Sequence, residues 1–83
     1  MAGKILYKSS VRHDLKKINP KDAERILREI TEKIGDNPSA GETLSGEFKG
    51  LFKVRIGDYR VIYTVVAGAI LVLRIGHRSK VDQ

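Results

Sequence analysis

The chain of 83 residues has no cysteine and no tryptophan. Disulfides, thiol catalysis and cysteine-ligated zinc are therefore excluded, and nothing points to secretion. Histidine occurs twice, as His13 and His77, on distant segments. No carboxylates converge with them at ligand spacing, so neither a metal nor another cofactor is expected. No Ser-His-Asp set can be assembled, and no glycine-rich phosphate loop precedes a helix. The three tyrosines and two phenylalanines fall mostly at core-like positions. A stacking platform for single-stranded nucleic acid is not evident. No apolar run approaches the roughly 18 residues of a membrane span. The first residues, MAGKILYKSS, lack the apolar core of a signal peptide. A cytoplasmic protein that does not engage membranes is expected.

Acidic residues are in the minority. Lys and Arg number 16 against 10 Asp and Glu, for a net charge of +6. That balance favours an acidic partner, such as nucleic acid, a ribonucleoprotein or an acidic protein segment. The length sets one domain, residues 1–83, with a thin core.

The segment LFKVRIGDYRVIYTVV, from Leu51 to Val66, reads as two strands around a two-residue loop. Gly57-Asp58, with glycine first, is the type II′ signal. The register follows: Ile56 opposes Tyr59, Arg55 opposes Arg60, Val54 opposes Val61, Lys53 opposes Ile62 and Phe52 opposes Tyr63. One face is then apolar and awaits a helix, while the other carries Lys53, Arg55 and Arg60. Like charges directly opposite each other cost stability. Such a cluster points to an anionic partner; a solvated sheet face is the plainer alternative.

Upstream, KILYK at 4–8 reads as a short strand whose pairing partner stays open. Ser9-Ser10 is read as the cap of a helix from Val11 to Ile18, with Val11, Leu15 and Ile18 as its apolar stripe. His13 lies off that stripe and is expected to be exposed. Asn19 caps a second helix from Pro20 to Ile34, with Asp22 in its first turn. Its stripe is Ala23, Ile26, Leu27, Ile30 and Ile34, and Gly35 is read as its left-handed C′ residue. Residues 35–47 read as loop, anchored by Leu44. Downstream of the hairpin, a three-residue loop (Ala67 to Ala69) is expected to pair Val66 with Ile70. That register places Leu71, Leu73 and Ile75 on the core face and Arg74 on the basic face. A two-residue loop would bury Arg74, which is costly unless it is paired. Ile62 and Val72 are read as apolar members of the outer face. The fold class is α+β: β-α-α-β-β-β, an antiparallel sheet with an αα-hairpin on one face.

Lys53, Arg55, Arg60, Arg74, His77 and Arg78 are expected to converge on one sheet face and its edge. Such a cluster can grip phosphate and stabilise a phosphorane-like transition state. A cyclising RNase needs little more, because RNA supplies its own 2′-OH nucleophile. On the residues alone, His77 is more readily a surface side chain than a catalyst.

GLFKVRIGDYRVIY followed by VLRIGHRSKV resembles the RelE/ParE superfamily of toxins from type II toxin–antitoxin systems. The signals R-x-G-D-Y-R-V-I-Y and I-G-H-R-x-x-V carry the likeness, and I-G-H-R-x-x-V is closer to the RelE branch. The resemblance implies a metal-independent endoribonuclease, an mRNA interferase that cuts the message in the ribosomal A site and inhibits translation. It implies a RelB-like cognate antitoxin, and contact with operator DNA through that antitoxin. Matched residue by residue, Lys53 and Arg55 correspond to positions that grip RNA, and Arg60 to the arginine on the scissile phosphate. Arg78 corresponds to the arginine on the leaving-group side, with His77 beside it for proton transfer. Arg74 and Lys80 would add to RNA binding. Asp82 stands where the family usually has tyrosine. The competing functions are a ParE-like poison of DNA gyrase and a weakened toxin that serves mainly to bind its antitoxin.

Overall fold

The computed structural model describes residues 4–35, 37, 41–44 and 50–77. Its elements run β1 (Ile5–Tyr7), α1 (Ser9–Lys16), α2 (Pro20–Ile34), β2 (Glu42–Thr43), β3 (Leu51–Ile56), β4 (Tyr59–Val66) and β5 (Ala69–His77). The strands form one sheet in the order β1-β5-β4-β3-β2. Both helices supply side chains to the core on one face of it, in the α+β arrangement expected.

The β3–β4 hairpin has the register read from its turn, from Phe52 opposite Tyr63 to Ile56 opposite Tyr59. Gly57 has φ of 60°, while Asp58 is not among the positive-φ residues, as a type II′ turn requires. Val61 and Tyr63 are fully buried, and Phe52, Val54 and Tyr59 pack beside them. α2 lays Ile26, Ile30 and Ile34 on this surface, each at 1% exposure or less. Burying such a side chain stabilises by about 1.5–3 kcal/mol. The helix starts where the sequence places it: Asn19 Oδ1 accepts the Lys21 amide at 2.9 Å. Gly35 departs from expectation. Its φ is −58°, in the right-handed region, so it is no left-handed cap. Glycine suits the position because a Cβ there would collide with the Thr31 carbonyl.

The sheet is mixed rather than wholly antiparallel, because β1 pairs parallel to β5, Ile5 beside Ile70 and Tyr7 beside Val72. It also has a fifth strand, β2, within the stretch read as loop. Two residues are too few to show a period-2 pattern. Glu42 opposes Lys53 there, and Thr43 opposes Phe52. Leu44 is held by its backbone, donating to the Leu51 carbonyl at 3.0 Å.

The β4–β5 connection corrects the sequence reading. Its loop has two residues, Ala67 and Gly68, and pairs Val66 with Ala69. Both loop residues have positive φ, 50° and 80°, the pattern of a type I′ turn. Ile70 and Val72 therefore face the core, and Leu71 does not. Arg74 nonetheless escapes burial. A bulge opposite Ile62/Tyr63 inserts Leu73 as an extra residue, so Tyr63 pairs Val72 and Ile62 pairs Arg74. Ile75 then returns to the core at 1% exposure. Val72, at 0%, belongs to the core and not to the outer face.

α1 also starts earlier than read. Lys8 occupies the cap position with extended backbone and makes no side-chain capping bond. The Ser10 hydroxyl instead donates to the carbonyl of the bulged Leu73 at 3.1 Å.

Candidate functional site

Alternation along the hairpin forces the cations outward. Val54, Ile56, Tyr59 and Val61 turn toward the helices, so Lys53, Arg55 and Arg60 face the other way. Two rows of side chains cross this outer face. One is Arg55–Arg60–Gly76, and the other is Glu42–Lys53–Ile62–Arg74. A two-residue turn makes Ile56–Tyr59 the hydrogen-bonded closing pair. Arg55–Arg60 is then the next, non-hydrogen-bonded pair, where Cα atoms approach to about 4.5 Å. Arg55 leans toward the turn, its Nε donating to the Gly57 carbonyl at 3.4 Å. On the other side of Arg60 stands Gly76, so no side chain of β5 opposes the guanidinium in this row. The four cations occupy a patch roughly 7 Å by 10 Å, from strand and residue spacing. Glu42 is the single acid in the five strands, and it borders the patch opposite Lys53.

The bulge sets Arg74 in this patch, exposed, across Ile62 from Lys53. His77 is placed differently from the expectation. It pairs with Tyr59, which faces the helices, so it lies on the opposite side of the sheet from Arg60. Its ring meets Tyr59 edge-on, with centroids 5.8 Å apart. His77 and Tyr59 line a cleft of about 170 Å³ with Asp14, Lys17 and Arg74, at the edge of β5. Arg74 thus borders both the outer face and this cleft. Burial, then the nearby Asp22 carboxylate, pushes the Tyr59 phenol above its ordinary pKa. The Tyr59 hydroxyl remains a donor, bonded to Asp22 Oδ2 at 3.5 Å. Arg78, Lys80 and Asp82 lie outside the described residues.

The same outer face changes character toward the β4–β5 turn. Leu6 stands beside Leu71, and Leu71 opposes Thr64, which opposes Leu51. Leu6 is 43% exposed and Val66 is 55% exposed. One end of the face is cationic and the other apolar. Among the described residues, no group of three or more His, Cys, Asp or Glu side chains is placed to hold a metal ion. No helix among them is long and apolar enough to cross a membrane.

Three contributors to the site escaped the sequence reading. Gly76 had no recognised role until register put it beside Arg60. Glu42 sat in an assumed loop. Asp14 was off the apolar stripe of α1, yet its Oδ2 accepts the Ile75 amide at 3.0 Å.

A two-helix layer on a mixed five-stranded sheet with a cationic outer face is the architecture of a toxin from a type II toxin–antitoxin system. The chain belongs to the family of ParE toxins of the type II parDE systems, whose family model matches residues 5–81. No functionally curated protein matches it. Among solved structures it is similar to the RelBE2 toxin–antitoxin complex of Mycobacterium tuberculosis. That match has 25% identity and a TM-score of 0.87, over 94% of this chain and 100% of the other. The archaeal RelE–RelB complex of Pyrococcus horikoshii matches at 26% identity and TM-score 0.67, over 96% and 99%. The isolated RelE toxin of Escherichia coli shares the fold at 20% identity and TM-score 0.74, over 98% and 92%.

Proposed function

We propose that this toxin is a RelE-like mRNA endoribonuclease that acts on ribosome-bound message in the cytoplasm and thereby inhibits translation. The observation that carries the reading is the row Arg55–Arg60–Gly76, flanked by Lys53 and Arg74. It combines two directly opposed guanidiniums with a glycine on the next strand. RNA fits that arrangement because it brings its own nucleophile. The 2′-oxygen attacks phosphorus, the bond to the 5′-oxygen breaks, and a 2′,3′-cyclic phosphate and a 5′-hydroxyl result. Arg60 holds the non-bridging oxygens as charge builds on them, while Lys53, Arg55, Arg74 and Lys80 grip the strand. Arg78 neutralises the leaving oxygen and is the group at that side for the proton. His77, on the opposite side of the sheet from Arg60, is not placed to move it. Asp82, in place of the usual tyrosine, sets the enzyme's strength.

The apolar and cationic halves of the outer face suit an amphipathic, acidic segment of a RelB-like antitoxin, which would cover Leu6, Leu71 and Val66 and screen the arginines. Operator DNA would be reached through that antitoxin.

Primer extension on a message paused on ribosomes tests the proposal. The wild type should cut in the A-site codon. Arg60→Ala and Arg78→Ala should each cut on the order of a hundredfold more slowly, by analogy with loss of one oxyanion-hole donor. A wild type that makes no cuts, or an Arg60 variant that cuts normally, refutes it. The ParE description of the matching family model favours a second reading, a gyrase poison. That reading predicts trapped DNA cleavage complexes with purified gyrase and intact message.

A further inference from the structure

β5 has strand neighbours on both sides only at residues 70–72, where β1 pairs with it. From Leu73 onward, β4 is its single strand partner among the described residues. A strand end hydrogen-bonded on one side opens easily. This end carries Arg74 and Gly76 on the outer face and His77 on the other, so looseness there moves the patch beside Arg60.

α1 takes the place of the missing strand. Ser10 and Asp14, one turn apart and so on the same side of the helix, both reach the open edge. The Ser10 hydroxyl donates to Leu73 O at 3.1 Å, and Asp14 Oδ2 accepts from Ile75 N at 3.0 Å. The two bonds straddle Arg74. A carboxylate makes the stronger kind of bond to an amide. It also has a cost here: Asp14 shares its cleft with Lys17, Arg74 and His77 and weakens their pull on a phosphate. An acid that opposes ligand binding yet holds a backbone amide at the site's edge has a positional use.

We propose that Asp14 is a positioning residue for RNA cleavage, acting by clamping the β5 backbone at Ile75 so that Arg74, Gly76 and His77 keep their places relative to Arg60. The inference rests on the endoribonuclease reading above.

The test compares Asp14→Ala, which removes the acceptor, with Asp14→Asn, whose side-chain oxygen can still accept. Amide hydrogen exchange and single-turnover cleavage of ribosome-bound message are measured on the same full-length proteins. In Asp14→Ala, exchange at Ile75, Gly76 and His77 should speed on the order of tenfold, the scale of one lost charge-assisted bond. Val61 should stay protected, which reports an intact core. Cleavage should slow roughly tenfold at saturating ribosomes with KM no higher than in the wild type, since the loss is in geometry while the acid removed had opposed phosphate binding. Asp14→Asn should restore both to within about threefold. Ser10→Ala, a milder change at the neighbouring clamp that removes no charge, should slow cleavage several-fold with KM unchanged. The inference is overturned if Asp14→Ala leaves exchange as in the wild type. It is equally overturned if the strand loosens without slowing cleavage, or if Asp14→Asn is as slow as Asp14→Ala. A wild type that cuts no message overturns the endoribonuclease reading, and this inference with it. A wild type that cuts alongside an equally active Asp14→Ala overturns this inference alone.

Discussion

Arg55 and Arg60 stand directly opposite each other on the outer face of the sheet, one pair in from the Gly57-Asp58 turn. Two like charges at a close cross-strand pair destabilise the hairpin by roughly 0.2–1 kcal/mol. The fold retains that repulsion at the position where the proposed chemistry needs cations. Arg55→Ala should therefore raise the urea midpoint slightly while lowering the rate of message cleavage. A variant less stable than the wild type would show that Arg55 supports the fold.

The apolar face of α2 gives a further test. Ile30 is 0% exposed between Ile26 and Ile34. Ile30→Asp would bury a carboxylate with no partner and should cost more than about 3 kcal/mol. The cooperative thermal transition should move far down or vanish. An unchanged transition would mean that this helix does not seat on the sheet as described.

Alkaline pH should weaken the protein. Tyr7, Tyr59 and Tyr63 all hold their protons above the ordinary value of 10.0, chiefly because burial disfavours the phenolate. Folded phenols thus bind protons that unfolded ones have lost. Their contribution to stability is whole below pH 10 and is lost as pH rises through their folded values. Urea unfolding between pH 9 and 12 should show that decline, and Tyr63→Phe should blunt it. The same variant should lose about 1 kcal/mol at neutral pH, because the Gly41 amide donates to the Tyr63 hydroxyl at 3.0 Å. At the acid end the sign reverses. A hydrogen bond from Arg25 holds the Glu29 carboxyl below its ordinary value, so its contribution is lost as pH falls beneath about 4.5.

The β4–β5 turn is strained at one residue. Ala67 has φ of 50°, in the left-handed region, and the following Gly68 is also positive. A side chain with a Cβ costs about 1 kcal/mol there, and Asn-Gly is the preferred pair for this turn. Ala67→Asn should raise the melting temperature by roughly 4–8 °C, the shift expected for about 1 kcal/mol in a domain of this size. A lower melting temperature would argue against the turn geometry.

The parts legible from the residues were those governed by local rules. Gly57 in a two-residue loop dictated five cross-strand pairs, and those pairs separated Arg60 from Val61 without any tertiary information. Asn19 and Pro20 marked the start of α2 because capping depends on neighbours in the chain. What was misread depended on distant contacts. Ser10 resembles a cap until Leu73, 63 residues away, takes its hydroxyl. The run from Ile70 to Ile75 alternates in either phase, and only a slip between Val72 and Ile75 lets both be buried. His77 shares a segment with Arg74, yet the same slip and the pleat set it on the Tyr59 side. The parallel pairing of β1 joins opposite ends of the chain, and no local pattern reports it.

Leu73 gives the last strand one residue of slack. In an ordinary ladder, losing a residue turns every later side chain to the wrong face. Here Tyr63 already pairs with Val72 and Ile62 with Arg74, so excising Leu73 would close the ladder with both pairs intact. Ile75 would stay inward and Arg74 outward, at the cost of the carbonyl that Ser10 holds. The chain can therefore shorten by one residue at this strand without inverting the face that carries its arginines, and length variation among toxins built this way should gather at that point.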